Sequence, residues 1–525
     1  MITNHRRKMY RFAAYITVGI LSAAIGVLYY LKPNIELAMG KAAAIAQTKP
    51  NIVVIMADDL SVGKLNVVLN QGWMPNLKRY IIDKGTTFTN SFVSESLCCP
   101  SRATFLTGQY PHNHGVLDNA LPQGGVTKFK DNSTIATCLQ KAGYRTGYVG
   151  KYLNGYGEDQ VKNEPSDDPT YVPPGWNDWQ ATVGGTTYRV YNYIINDNGQ
   201  LVRYGDAPSH YQTDILARRS VKFINESEQI SDAQPFFLSI MPLAPHEEFH
   251  IGRYPLNYDL QDTIRPAPRH IGTASNIPLP KTPSFNEQDV SDKPAWLKNI
   301  PALLPQHINS LQKVYRDKLE SLRAVDDLIG SVVSALSQNQ ELDNTVIIFT
   351  SDNGFLFGEH RLHDKRWAYE EAIRVPLFIR APGFSTPQSV AKFAVNNDLA
   401  PTIADFAKTT PNMVMDGRSL IPLLQNPNLS NWRKRLLIEY WHSPSRSFIP
   451  TFSAVRTSSA DTATPKQLYV EYVGGDREFY DLASDPNQLQ SLHKQGGWRQ
   501  QQVKILQNWL ARLRVCKGKS CQILE

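Results

Sequence analysis

The sequence predicts an α/β protein: a large, mostly parallel sheet sandwiched by helices, followed by a smaller C-terminal antiparallel sheet plus helix. Three observations carry that expectation. Short, continuous apolar runs, the pattern of strands buried on both faces, recur through the chain. Between them lie stretches with apolar residues three and four apart, as amphipathic helices require. Late in the chain, two strand-like runs flank Gly474-Gly475, a hairpin signal. Alternating buried strands and helices favour a parallel sheet, because each parallel connection needs a crossover that covers one face.

The first element is an address. Phe12 to Leu31 is a 20-residue stretch without a charged side chain, near the length of a bilayer-spanning helix. Arg6, Arg7, Lys8 and Arg11 precede it, and only Lys32 follows closely. That asymmetry predicts a basic cytoplasmic tail at 1–11, a transmembrane anchor or signal at 12–31 and a linker at 32–49. The bulk of the chain is then extracytoplasmic: periplasmic, cell-surface or secreted. A cleaved signal has a shorter apolar core followed directly by small residues. Here the best small-x-small site, Ala44-Ile45-Ala46, lies well beyond Leu31, so an uncleaved anchor is the preferred reading. Formal charge is +7, but seven basic side chains and one acid fall within residues 1–50. The remaining body is close to neutral, which disfavours a nucleic-acid-binding protein. Hydrophobic residues at 42%, with 24 Tyr, 20 Phe and 9 Trp, exclude general disorder.

A larger α/β body is expected at 50–384 and a smaller α+β domain at 385–525. Asn51 to Met56 reads as the first buried strand; Phe236 to Met241, Thr345 to Thr350 and Val375 to Arg380 are similar. Trp176 to Tyr204 is aromatic and reads as an inserted hairpin turning at Asn196 to Gly199. Trp176, Trp179, Tyr188, Tyr191 and Tyr193 there could stack on a saccharide; base rates favour the apolar face of the hairpin. Pro266 to Pro305 holds eight prolines in 40 residues and reads as a long irregular surface segment. The longest helical pattern follows, with Leu311, Val314, Leu322, Val325, Ile329 and Leu336 on one face. Leu468 to Val473 and Glu478 to Leu482 form the late hairpin, and Val503, Leu506, Leu510 and Leu513 a final helix. Of five cysteines, Cys516 and Cys521 suit a local disulfide, whereas Cys138 sits in an apolar helical pattern. Cys98-Cys99 remain.

Three pieces carry chemistry. Asp58-Asp59 directly follow the first strand, where two carboxylates repel unless something neutralises them. Hard oxygen ligands suit calcium or magnesium; a helix N-cap is the rival reading. Ser351-Asp352-Asn353-Gly354 places a carboxylate and an amide after another buried strand, either a turn or two more oxygen ligands. The third piece is Leu97-Cys98-Cys99-Pro100-Ser101-Arg102, running on to Tyr110. Pro100 suits a first helical turn, whose free N–H groups attract anions, and Arg102 adds a cation.

Cys98-Cys99-Pro100-Ser101-Arg102 with Leu106-Thr107-Gly108 resembles the signature of the type I, formylglycine-dependent sulfatases. The run Tyr110-Pro-His-Asn-His-Gly115, and Gly147-Tyr-Val-Gly-Lys-Tyr-Leu-Asn-Gly155, most resemble the N-acetylglucosamine-6-sulfatase and heparan endosulfatase group. The resemblance runs in order from about residue 50 to the end. It implies an alkaline-phosphatase-like sulfatase fold and hydrolysis of sulfate monoesters, on a sulfated carbohydrate or aryl sulfate. It implies that a formylglycine-generating enzyme converts Cys98 to formylglycine (3-oxoalanine), the nucleophile, and that Asp58, Asp59, Asp352, Asn353 and the converted Cys98 hold a calcium ion. Arg102 matches the residue holding the formylglycine hydrate; Lys151 and Lys365 match sulfate-binding lysines. His246, in Ala244-Pro-His246, matches the leaving-group acid. One departure stands out: many arylsulfatases carry a histidine where this chain has Leu153. His112, His114, His250, His360 and His363 lie near motifs without an assigned role. Two rival readings remain: a phosphonate or phosphate monoester hydrolase of the same superfamily, and a membrane-anchored binding protein that keeps the cation site without turnover.

Overall fold

The computed structural model describes residues 49–158, 164–230, 234–248, 264–443 and 448–524. The expected anchor at 12–31, and His250, lie outside the described residues. Among the described residues, no helix is long and apolar enough to cross a membrane.

Residues 50–525 form one compact unit around a ten-stranded sheet. In chain order its strands are β1 (Asn51–Ala57), β2 (Thr86–Phe88), β3 (Arg145–Gly150), β4 (Asp178–Thr182), β5 (Ile194–Asp197), β6 (Gln200–Arg203), β7 (Phe236–Met241), β8 (Thr345–Ser351), β9 (Leu377–Arg380) and β10 (Gln388–Val390). The spatial order is β10-β2-β9-β8-β1-β7-β3-β4-β5-β6. The five central strands, β8 to β4 in that order, run parallel. The apolar runs have the cause the sequence suggests. Val53, Ile55 and Ala57 of β1 face one apolar cluster, and Ile52, Val54 and Met56 the other.

Seven helices matter here: α1 (Val62–Asn70), α2 (Cys98–Thr107), α3 (Ile135–Lys141), α4 (Gln212–Ile230), α5 (Pro305–Gln338), α6 (Leu399–Phe406) and α7 (Trp498–Leu513). α1, α4 and α5 contribute to the first cluster; α2, α3 and α6 to the second. Pro305 opens α5, where its missing N–H costs nothing. The acidic pair at 326–327 is structural: Asp326 accepts from the backbone of Asn76 and Leu77, and Asp327 pairs with Arg269.

Three details go beyond the expectations. β9 is antiparallel to β8 and β2, although its apolar run reads like the parallel strands. Between β8 and β9 the chain makes the short pairing of Leu356–Phe357 with His363–Asp364 and one short helix, Glu370–Ile373, and returns beside the strand it left. The segment 176–204 carries the expected hairpin, β5 and β6 turning at Asn198-Gly199, and it extends the large sheet, because β4 joins β3 in parallel and β5 pairs with β4. The chain after 385 first completes the large sheet with β10 before building the antiparallel one.

That second sheet has strands β11 (Arg435–Tyr440), β12 (Phe452–Thr457), β13 (Gln467–Tyr472) and β14 (Arg477–Asp481) in sequential order. α7 packs its Val503, Leu506, Leu510 and Leu513 face on that sheet's Val455 and Tyr469. Cys516 and Cys521 form a disulfide beside it, and Cys98, Cys99 and Cys138 are free and buried.

Candidate active site

The register of the central strands places the chemistry. Ala57 pairs with Ser351, so Asp58 and Asp352 leave neighbouring strands side by side. Gly150 pairs with Met241, so Lys151 leaves β3 next to the loop that carries His246. All lie at the carboxyl ends of parallel strands, where open α/β sheets bind ligands. α2 delivers Cys98 from its first turn and Arg102 from one turn further on. A two-residue pairing of Leu356–Phe357 with His363–Asp364 delivers Lys365. Asp59 adopts φ 65, a left-handed conformation that turns its carboxylate inward.

All nine sequence-nominated side chains meet: Asp58, Asp59, Cys98, Arg102, Lys151, His246, Asp352, Asn353 and Lys365. None is more than 4% exposed. Arg102 Nε donates to Asp352 Oδ2 at 2.9 Å and its Nη2 reaches Asp58 Oδ2 at 3.2 Å. Lys151 Nζ donates to Asp58 Oδ2 at 2.5 Å and lies 3.4 Å from Cys98 Sγ. Lys365 Nζ donates to Asp59 Oδ1 and lies 2.9 Å from the same sulfur. Asn353 Nδ2 donates to Asp59 Oδ1 at 2.6 Å. His246 Nε2 stands 3.6 Å from Asp59 Oδ2, and its Nδ1 lies 2.6 Å from the Glu247 carbonyl.

The electrostatics follow from burial and these pairs. Burial pushes the Asp58 carboxyl up, but Lys151, His246 and Arg102 outweigh it and hold the group ionised well below the usual range. Asp59 is held low against its burial in the same way, by Lys365, His246 and Lys318. Burial and repulsion from Asp58 raise Asp352 to about 6. Burial, then Asp58, pushes the Cys98 thiol up to about 12. An activated cysteine nucleophile needs the opposite shift, so the encoded thiol is protonated and inert. Burial lowers His246 to about 4, against the pull of Asp59 and Asp58.

The donor set suits a hard cation. Asp59 Oδ2 and Asn353 Oδ1 are buried oxygens with no hydrogen-bond donor, a costly state that a cation relieves. Asp58, Asp59, Cys98 and His246 each offer a ligand atom within 4.8 Å of the others.

Several residues escaped the sequence reading. Tyr188, nominated only as an aromatic, places its ring 4.7 Å from Lys151 Nζ and 5.2 Å from the His246 ring. Ser101 Oγ donates to the Asp352 carbonyl at 2.5 Å and accepts from Asn396. Lys64 and Lys318 are buried beside Asp59. Ser101 stands in the Cys98-to-Arg102 string without a role assigned to it there; no motif marks Tyr188, Lys64 or Lys318, which only chain folding brings in. The other aromatics are core: Trp176 and Trp179 pack with Tyr148. Leu153 is buried in the apolar cluster, so no second histidine stands at that place. His112 pairs with Glu439, His114 with Thr104 and His360 with Glu287, away from the sulfur. His363 Nε2 is 3.7 Å from Glu247 Oε1. A pocket of about 220 Å³ opens over Tyr188, His246 and Lys365, bordered by Asn154, Asp364 and Arg366.

Comparison with known proteins agrees with this geometry. The Sulfatase family model matches residues 50–409, and the model of the N-sulphoglucosamine sulphohydrolase C-terminal region matches 358–515. The chain is 34% identical to an arylsulfatase of Volvox carteri over 513 residues, 91% of this chain and 76% of the relative. It is 31% identical to an N-acetylglucosamine-6-sulfatase of Capra hircus, over 91% of this chain and 86% of the relative. A protein solved with its substrate D-glucosamine-2-N,6-O-disulfate shares the fold at TM-score 0.71 and 24% identity, covering 91% of this chain and 99% of that one. So does a phosphonate monoester hydrolase of Agrobacterium radiobacter, at TM-score 0.64 and 21% identity, covering 88% and 95%. The fold is thus common to sulfate and phosphonate chemistry, and the match of the family model over most of the chain decides between them: the chain belongs to the sulfatase family and is a sulfuric ester hydrolase.

Proposed function

We propose that this enzyme removes sulfate from a glucosamine-type sulfated carbohydrate, using formylglycine made from Cys98 and a calcium ion held by Asp58, Asp59, Asp352 and Asn353. The observation that carries the reading is the pair of buried ammonium groups, Lys151 and Lys365, converging on one sulfur at 3.4 and 2.9 Å beside two unpartnered buried oxygens. Relatives named N-acetylglucosamine-6-sulfatase, and the neighbour's glucosamine disulfate, support the sugar.

In this reading Lys151 and Lys365 grip the sulfate oxygens and offset the charge that builds on them. Arg102, bridging Asp58 and Asp352, holds the two carboxylates in one orientation and ties them to α2. Formylglycine supplies the nucleophilic oxygen that the inert thiol lacks, and the cation supplies a fixed positive charge. His246, with Nδ1 on the Glu247 carbonyl, turns Nε2 toward the leaving oxygen and gives it a proton. The imidazole is neutral in the ligand-free site, and an arriving sulfate favours its charged form. Cys98 is 1% exposed, so a formylglycine-generating enzyme has to act before the chain closes over it. We place the body outside the cytoplasm, anchored by residues 12–31, in keeping with relatives named extracellular sulfatases.

The test is a panel of esters offered to the matured enzyme. Glucosamine 6-sulfate should turn over at least tenfold faster than a phosphonate monoester in kcat/KM. Preference for the phosphonate, or for a sulfated sugar without glucosamine, overturns the substrate.

A further inference from the structure

Behind the nine-residue cluster lies a second charged layer that no motif announces. Lys318, in the middle of α5, is fully buried, and its Nζ makes no hydrogen bond. It rests 3.6 Å from the centroid of the Phe355 ring. Its charge faces two carboxylates: Glu247 Oε1 at 3.2 Å and Asp59 Oδ2 at 3.9 Å. Lys64 holds the other end of the same turn, donating to the Asp59 carbonyl at 2.7 Å and facing Phe355 and Phe357.

Two consequences follow from the placement. Asp59 Oδ1 is taken by Lys365 and Asn353, while Oδ2 has no donor and lies 3.6 Å from His246 Nε2 and 3.9 Å from Lys318 Nζ. A cation 3.9 Å away, too far to donate, stabilises the ionised carboxylate without filling the ligand position. Glu247 in turn lends its carbonyl to His246 Nδ1, so whatever fixes Glu247 fixes the imidazole. Lys318 therefore reaches both the cation side and the leaving-group side of the site, from outside the substrate pocket. A buried ammonium that faces carboxylates without a hydrogen bond to either is costly to desolvate.

We propose that Lys318 is a positioning residue: it sets the Asp59-to-His246 spacing and keeps one Asp59 oxygen available to a divalent cation. This rests on the reading of Asp59 as a cation ligand and His246 as the acid. It needs no contact between Lys318 and substrate.

The experiment compares wild type, Lys318→Met, Lys318→Arg and the double variant Lys318→Met/Glu247→Gln, all with Cys98 converted. Met keeps the length of the stem on Phe355, and the double variant removes both members of the buried pair, which is far less disruptive than removing one. Steady-state kinetics are measured on a sugar sulfate and on nitrophenyl sulfate. Calcium is titrated into chelator-stripped protein with the melting temperature as readout. We expect Lys318→Met to lose 10- to 100-fold in kcat on the sugar sulfate with KM within threefold, to lose less on the aryl ester, and to shift the calcium midpoint severalfold. Arg should restore part of the loss. The double variant should regain melting temperature but not kcat. Unchanged kcat and calcium midpoint in Lys318→Met overturn the proposal. So does full recovery of kcat in the double variant, which reduces Lys318 to a structural counter-charge. Failure of the underlying reading looks different: stripped wild type then shows no calcium-dependent melting shift at all.

Discussion

At the scale of single residues, Cys98 and Cys99 differ by environment rather than by type. Both are buried and both thiols are pushed up to about 12 by burial, yet only Cys98 faces Lys151 and Lys365. Cys99 donates its backbone N–H to Asn119 and packs into the apolar cluster. Cys98→Ala should therefore abolish turnover, and Cys99→Ala should retain most of it. Peptide mass should show the loss that accompanies formylglycine at residue 98 alone; conversion at 99 would reverse the assignment. The acid role of His246 has its own signature. A sugar alkoxide is a strong base that needs a proton, and a nitrophenolate is not. His246→Ala should cut kcat/KM on a sugar sulfate by roughly 10²–10⁴-fold and on nitrophenyl sulfate far less. Equal losses on the two esters would assign His246 to binding only.

At the scale of elements, the strand ends act as mounts. Gly150 closes β3 at φ 112, and a Cβ there would stand 2.2 Å from the Met241 carbonyl oxygen. That same carbonyl accepts the Lys151 N–H at 2.8 Å, so the close approach of β3 and β7 sets where Lys151 begins. Gly150→Ala should cost about 1–3 kcal/mol in stability from the backbone conformation alone. It should also lower kcat/KM by displacing Lys151, read by melting temperature and kinetics together. A variant that melts like wild type and keeps its activity would show that this end of β3 can shift freely. The short antiparallel β9 teaches a related lesson. Its Leu-Phe-Ile-Arg run is indistinguishable from a parallel strand by pattern, because burial on both faces leaves no trace of direction.

At the scale of the whole molecule, the charge asymmetry of residues 1–50 predicts export of a nearly neutral body. In intact cells, protease added outside, after permeabilising only an outer envelope where one exists, should reach residues 50–525, and N-terminal sequencing should find no new terminus near Gln47. Protection until the inner membrane is lysed would overturn the topology. A terminus at Gln47 would replace the anchor with a cleaved signal and leave the export intact.

The layered α/β plan, the long helix with its apolar face and the late hairpin with its following helix were legible in the sequence, since each depends on local periodicity. The local pieces of the site were legible too, since Asp58 next to Asp59, Cys98 four residues before Arg102 and Asp352 next to Asn353 each lie within one turn or at one strand end, while Lys151, His246 and Lys365 were nominated only by resemblance to the sulfatases. What only the tertiary structure decided is everything that spans distant segments. The direction of β9 depends on the route of the chain between strands. The pairing of Asp58 with Asp352 depends on β1 lying beside β8. The place of Tyr188 over His246, and of Lys318 behind Asp59, depends on packing between elements more than 50 residues apart. Periodicity records which face of an element is buried; it carries no record of which other segment does the burying.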